Sequence, residues 1–253
     1  LDSHPSVDVR YLDRPMAFHR ALTDRGVGVD VVHPDTDLTP YSLIVVPTLY
    51  LCDDHLATTL EEATARGATV VVTYFSGIVD EHDHIRLGGY PGAFADLLGV
   101  RTEEFLPLAP HQHVELDDST TADIWAEHLH LVDAEAVVRH RDGPAAGMPA
   151  VTRRAVGDGA AWYVATRTDE VGTASLVDTL LTESGVEPVA RTVHDVEVVR
   201  RRADDGRSWV FVINHTDRAA TVPVHGVELV TGTPTGEAGV VLDPGGVAVV
   251  REA

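Results

Sequence analysis

The sequence predicts an α/β domain, a parallel sheet flanked by helices, followed by a small all-β domain. Three observations carry this expectation. In the first third, apolar β-branched runs alternate with amphipathic segments of helical period, the pattern of βαβ units. Beyond about residue 193 no helix-period segment remains, and short alternating strands are separated by Asp-Gly, Pro-Gly and Asn-His turns. The chain has 253 residues, 44% hydrophobic and 23% charged, enough for two domains that each bury a core.

The elements follow in order. "RYLDRPMAFHRALTDRG" spaces Leu12, Met16 and Leu22 as a helix does and stops at Gly26. Pro15 either kinks that helix or marks its true first turn. "VGVDVVHP" reads as a short strand stopped by Pro34, and "YSLIVVPTLYL" as a strand covered on both faces. "DDHLATTLEEATARG" is an amphipathic helix with acids in its first turn and Gly67 at its end. "ATVVVTY" is a second buried strand. "YPGAFADLLGV" reads as a short helix and "HVELDD" as a strand. "PAVTRRAVGDGAAWYVAT" is a hairpin turned by Gly157-Asp158-Gly159, and the helix "VGTASLVDTLLTESG" follows it. The β segments after residue 193 suit a sandwich.

Charge narrows the partners. Forty acidic residues against 19 basic ones leave a formal net charge of -21, which opposes binding to nucleic acid or to anionic membranes. Every basic residue is Arg. No run reaches the ~18 apolar residues of a membrane span, and the opening "LDSHPSVDVRYLD" has no basic n-region of a signal peptide. Lacking an initiator Met, the chain is expected to be a mature product or a piece of something longer. Cys52 is the single cysteine; it can form no internal disulfide and no thiolate zinc site, so a cytoplasmic setting is expected.

The chemistry-bearing candidates gather at "ATVVVTYFSGIVDEHDH", residues 68–84, where an apolar run ends abruptly in a turn followed by acids and histidines. In open α/β sheets ligands bind at the carboxyl ends of strands. Aligning Gly77 with the last glycine of a nucleophile elbow puts Phe75 where the nucleophile belongs, and Tyr74 breaks the small-residue requirement. A phenyl ring cannot attack a carbonyl. The remaining candidates on this loop are Ser76, Asp80 and Glu81, as groups facing a substrate. His82 and His84 share a face if the segment is extended, yet fourteen histidines make such pairs common by chance; "HQH" (His111, His113) and "HLH" (His128, His130) carry the same discount. Adjacent acids such as Glu61-Glu62 and Glu103-Glu104 read as exposed faces. Asn214-His215-Thr216 fits a glycosylation sequon and reads as a strand-end turn.

Taken together, "LDSHPSVDVRYLD", "HRALTDRGVGVDVVHPDTDL", "YSLIVVPTLYL", "TYFSGIVDEHDHIRLGGYPG" and "PAVTRRAVGDGAAWYVATRTDE" resemble the middle and C-terminal domains of glycoside hydrolase family 42 β-galactosidases. The resemblance implies a glutamine-amidotransferase-like (flavodoxin-like) trimerisation domain over residues 1–192 and a C-terminal β-sandwich over residues 193–253. It also implies a homotrimer and a parent enzyme that hydrolyses terminal β-galactosides with retention. The family's two catalytic glutamates lie on a (β/α)8 barrel to which no segment here corresponds, so no catalytic residue, metal ligand or cofactor is carried over. The chain alone is expected to be inactive. The alternatives are a stand-alone amidotransferase-like hydrolase using Ser76, or a carbohydrate-binding module using Trp125, Trp162 or Trp209 as a stacking platform.

Overall fold

The computed structural model describes residues 8–190 and 194–252. The chain divides into two compact units, one running to Phe18 and resuming over Val32–Gly185, the other taking His19–Val31 and the residues from Val186 onward. The boundary expected at 192/193 lies outside the described residues.

Helix α1 (Asp13–Thr23) carries Pro15 in its first turn, where a missing N–H removes no helical bond. Strand β1 (Leu43–Val46) leads to α2 (Asp54–Ala65) and β2 (Thr69–Thr73). Asp53 caps α2 by accepting the Leu56 N–H at 2.8 Å, and Leu56, Leu60 and Ala63 recur at helical spacing to face the sheet core. A 3₁₀ turn at Gly92–Phe94 runs into α3 (Ala95–Leu98). Then come β3 (Val100–Pro107), β4 (His113–Glu115), β5 (Thr121–Asp123), β6 (Trp125–Leu131) and β7 (Glu135–Arg139). Strands β8 (Pro149–Val156), β9 (Gly159–Val164) and β10 (Arg167–Thr168) precede α4 (Glu170–Ser184).

The main sheet has the order β1-β2-β9-β8-β7. It is mixed, which corrects the expected parallel sheet. Strands β1, β2 and β9 run parallel, whereas β8 and β7 are antiparallel to their neighbours. The reason is the Gly157-Asp158 turn. Two residues between Val156 and Gly159 cannot make a crossover, so β8 must enter the sheet antiparallel to β9. Two other expectations also fail. The "VGVDVVHP" segment forms no strand: Val27 is buried but Val31 is 90% exposed, and without a ladder partner its β-propensity is not realised. The "LIVV" strand β1 stands at the sheet edge with three of four residues only half-buried, so it is not covered on both faces. By contrast, all five residues of β2 are buried. Two smaller sheets complete this unit, β10-β5-β4 and the antiparallel pair β3-β6.

The second unit is all-β apart from the α1 residues it includes. Strands β11 (Val196–Arg202), β12 (Ser208–Asn214), β13 (Ala220–Val222), β14 (Val227–Glu228), β15 (Thr233–Pro234), β16 (Val240–Leu242) and β17 (Val247–Arg251) form a five-stranded sheet, β11-β12-β17-β14-β15, and the pair β13-β16. Val196, Val198, Val210, Val212 and Val250 from the first share one core with Val222, Val240 and Leu242 from the second. Asn214 is fully buried, and its amide donates to the Arg218 and Asp243 carbonyls at 2.8 and 3.0 Å. The sequon asparagine therefore ties a strand end, as the sequence suggests.

Candidate functional site

Strand β2 ends at Thr73, and Phe75 takes a left-handed backbone with φ of 58°. A non-glycine residue rarely adopts that conformation, and it places Phe75 at the sharp point of the turn. The site of a nucleophile is instead the centre of an aromatic cluster. Phe75 stacks on Tyr50 at 5.3 Å between centroids and meets Trp125 and Phe105 edge-on at 5.5 and 6.1 Å. The turn is sealed from behind as well. Gly77 (φ 66°) packs against the 91–94 segment so closely that a Cβ would lie 2.6 Å from the Pro91 carbonyl oxygen, and a Cβ on Gly92 would overlap the Gly77 carbonyl. The glycines of "FSG" and "YPG" are thus needed together, backbone against backbone.

The three sequence candidates do not converge. Ser76 has no exposed surface, and its Oγ accepts the Leu49 N–H at 2.9 Å. Gly77 N donates to Leu49 O and Thr48 N to Thr73 Oγ1, both at 2.8 Å, so the loops after β1 and β2 are zipped together. A serine nucleophile here has no path to a substrate in this fold. Asp80 is half-buried at the neck of a hairpin closed by the Val79–Ile85 bridge. Its Oδ1 accepts the backbone N–H groups of His82 and His84, each at 2.9 Å. These bonds, that from His84 foremost, hold its carboxyl below the usual range. Glu81 stands exposed at the tip. Beside this loop, Leu51 and Ile85, both bridged to Val79, and Leu87 expose 44%, 63% and 96% of their surface. The aromatic alternatives are closed: Trp125 and Trp162 are buried, and the half-buried Trp209 lies under the Arg207 guanidinium, 5.3 Å from its ring centroid. Cys52 is buried too, and burial pushes its thiol up to about 11, so it stays protonated and unreactive.

Sequence reading missed Glu127. It is fully buried, and its carboxylate accepts from Trp125 Nε1 (2.9 Å), Thr102 Oγ1 (2.7 Å) and Tyr163 OH (2.9 Å). Burial outweighs those three donors and raises its pKa to about 7. The signal available in sequence was alternation: in "WAEHL" Glu127 occupies the same face as Trp125 and Leu129, the inward one. Among the described residues, three clusters bring together ligand atoms that suit a metal: Asp80-His82-His84, Glu103-His128-His130 and Asp24-His194-Asp195.

Comparison with known proteins bears on the whole chain. Residues 1–187 match the family described as the β-galactosidase trimerisation domain, and residues 195–252 the β-galactosidase C-terminal domain. A β-galactosidase from an Arthrobacter species is 55% identical over the full chain. One from Heyndrickxia coagulans is 36% identical over 94% of it. Each relative is far longer, and the chain spans 36% of either. Among solved structures, the β-galactosidase from Bacillus circulans sp. alkalophilus superposes with a TM-score of 0.94 at 30% identity, covering 100% of this chain and 39% of that one. That of the Antarctic haloarchaeon Halorubrum lacusprofundi gives 0.84 at 31%, covering 97% and 36%.

Proposed function

The chain belongs to the β-galactosidases of glycoside hydrolase family 42, carrying the family's trimerisation and C-terminal domains, and we propose that the intact protein hydrolyses terminal β-D-galactosides with retention. Such chemistry uses two carboxyl groups flanking the scissile bond, one as nucleophile and one as acid and base. The proposal puts both on a barrel outside these residues. Here residues 1–192 serve as a homotrimeric assembly domain of amidotransferase-like descent, and residues 193–253 as its β-sandwich companion. The observation that carries this reading is the pair of adjoining family matches over nearly the whole chain. Phe75 in the left-handed turn supports the lineage, as an elbow geometry kept while its chemistry was lost.

The 76–84 loop is proposed to face a barrel in the assembled enzyme and to help wall the substrate cleft. The exposed apolar side chains Leu51, Ile85 and Leu87 near the loop support a covered neighbourhood, since exposed apolar groups mark contact sites. In that arrangement Glu81 faces the cleft, Asp80 holds the loop's shape, and Ser76 lies beneath as a backbone tie. No helix among the described residues is long and apolar enough to cross a membrane. A cytoplasmic location is proposed from the lone, unpaired Cys52.

Assay of a chromogenic β-galactoside tests the central claim. The chain alone gives no turnover, while the same chain joined to its own barrel does. Turnover by the isolated chain that disappears on Ser76→Ala would overturn the reading. For the loop, Glu81→Ala in the full-length enzyme should alter KM with little change in Tm; unchanged kinetics would reduce the loop to a connection.

A further inference from the structure

We propose that Glu103, His128 and His130 form a binding site for one divalent transition cation of the zinc class on the outer face of the β3–β6 pair. The two imidazoles are set by strand period: on β6, Trp125, Glu127 and Leu129 point to the buried face, so His128 and His130 share the other. The carboxylate is set by a β-bulge. The β3–β6 register shifts between Thr102 and Glu104, so Glu103 is an extra residue, and Glu103 and Glu104 are exposed in succession where strict alternation would bury one. Bulges re-aim side chains in this way. Glu103 Oε2 ends 2.6 Å from His130 Nε2, the two imidazole rings are 4.9 Å apart, and one ligand atom from each of the three residues falls within 4.8 Å of the others.

A tetrahedral zinc ion with bonds of about 2.0–2.1 Å holds its ligands roughly 3.3 Å apart, inside the range these atoms span. Ladder pairs on both sides of the bulge hold the backbone that carries the three side chains. Two imidazoles and a carboxylate suit zinc and its Irving–Williams neighbours rather than calcium or magnesium. A fourth position is left for water or for Glu104, which pairs with His128 in the ladder. The other two clusters are poorer. Asp80 spends one oxygen on two backbone N–H groups, and Asp24-His194-Asp195 offers a single imidazole. The site uses none of the β2 elbow residues and is independent of the galactosidase reading.

The tag-free full chain, stripped with a chelator, is titrated calorimetrically with ZnCl₂ near neutral pH and separately with CoCl₂ under visible spectroscopy. One zinc per chain is expected, with a four-coordinate cobalt spectrum. His128→Ala/His130→Ala should weaken zinc binding at least tenfold, and Glu103→Gln, which preserves shape, should weaken it measurably. His82→Ala/His84→Ala should leave it unchanged. No saturable binding up to millimolar zinc would mean that Glu103 and His130 make an ion pair only. Loss of binding in the His82/His84 variant, or full binding in Glu103→Gln together with the His128/His130 variant, would equally overturn the site.

Discussion

Glu127 is a carboxyl group that folding removes wholly from water, and the consequence is a pH dependence of unusual sign. Glu228 has the usual sign: it is brought down to about 2, first by the Val230 and then by the Thr231 backbone N–H, and stabilises the fold above the ordinary carboxylate range, losing that effect as pH falls toward 2. Glu127 does the opposite. Its folded pKa of about 7 lies above the unfolded value, so its proton is held more tightly in the fold. Stability from this group is full below about 4.5, declines as pH rises, and levels off above 7, a loss of roughly 3 kcal/mol at most. Glu127→Gln imitates the protonated acid, since its oxygen still accepts and Thr102 Oγ1 accepts in turn. Denaturant midpoints should therefore fall between pH 5 and 8 in the parent and stay flatter in the variant. Parallel profiles would show that Glu127 does not titrate in this window.

At the scale of elements, local pattern and long-range register part company. The caps, the buried stripe of α2 and the Gly157-Asp158 turn are visible in sequence because each depends on residues within one or two turns of one another. The parallel β2–β9 pairing and the β3–β6 pair join residues some 20 or more apart, which no local period encodes. The close crossing of the β2 elbow with the 91–94 segment shows this at one point, where Gly77 and Gly92 leave no room for a methyl group. Gly92→Ala should cost about 3 kcal/mol or more in unfolding free energy, from left-handed strain plus backbone overlap. Gly88→Ala is the control: its φ of 103° is also strained, but nothing lies within 4 Å, so the cost should be clearly smaller. Equal losses would show that the crossing is not tightly packed.

For the whole molecule, charge and assembly compete. Each chain carries -21 formal charges, and a closed three-fold ring concentrates them. If this chain is the assembly domain, salt should favour the trimer by screening. Light scattering behind a sizing column should find a species of three times 27.2 kDa whose fraction grows with concentration and from low to moderate salt. A monomer under every condition would assign the decisive interface to the barrel. The candidate site divides along the same line as the fold. The sequence alone determined where the β2 turn falls, that Phe75 rather than a nucleophile stands in it, and which family these motifs resemble, because those depend on residue identity within a short stretch. Only the tertiary structure decided that Ser76 is sealed, that Asp80 braces a hairpin, that Glu127 is buried among three donors, and that a bulge carries Glu103 to the face of His128 and His130. Those outcomes rest on burial and inter-strand register, which exist only once distant segments have packed.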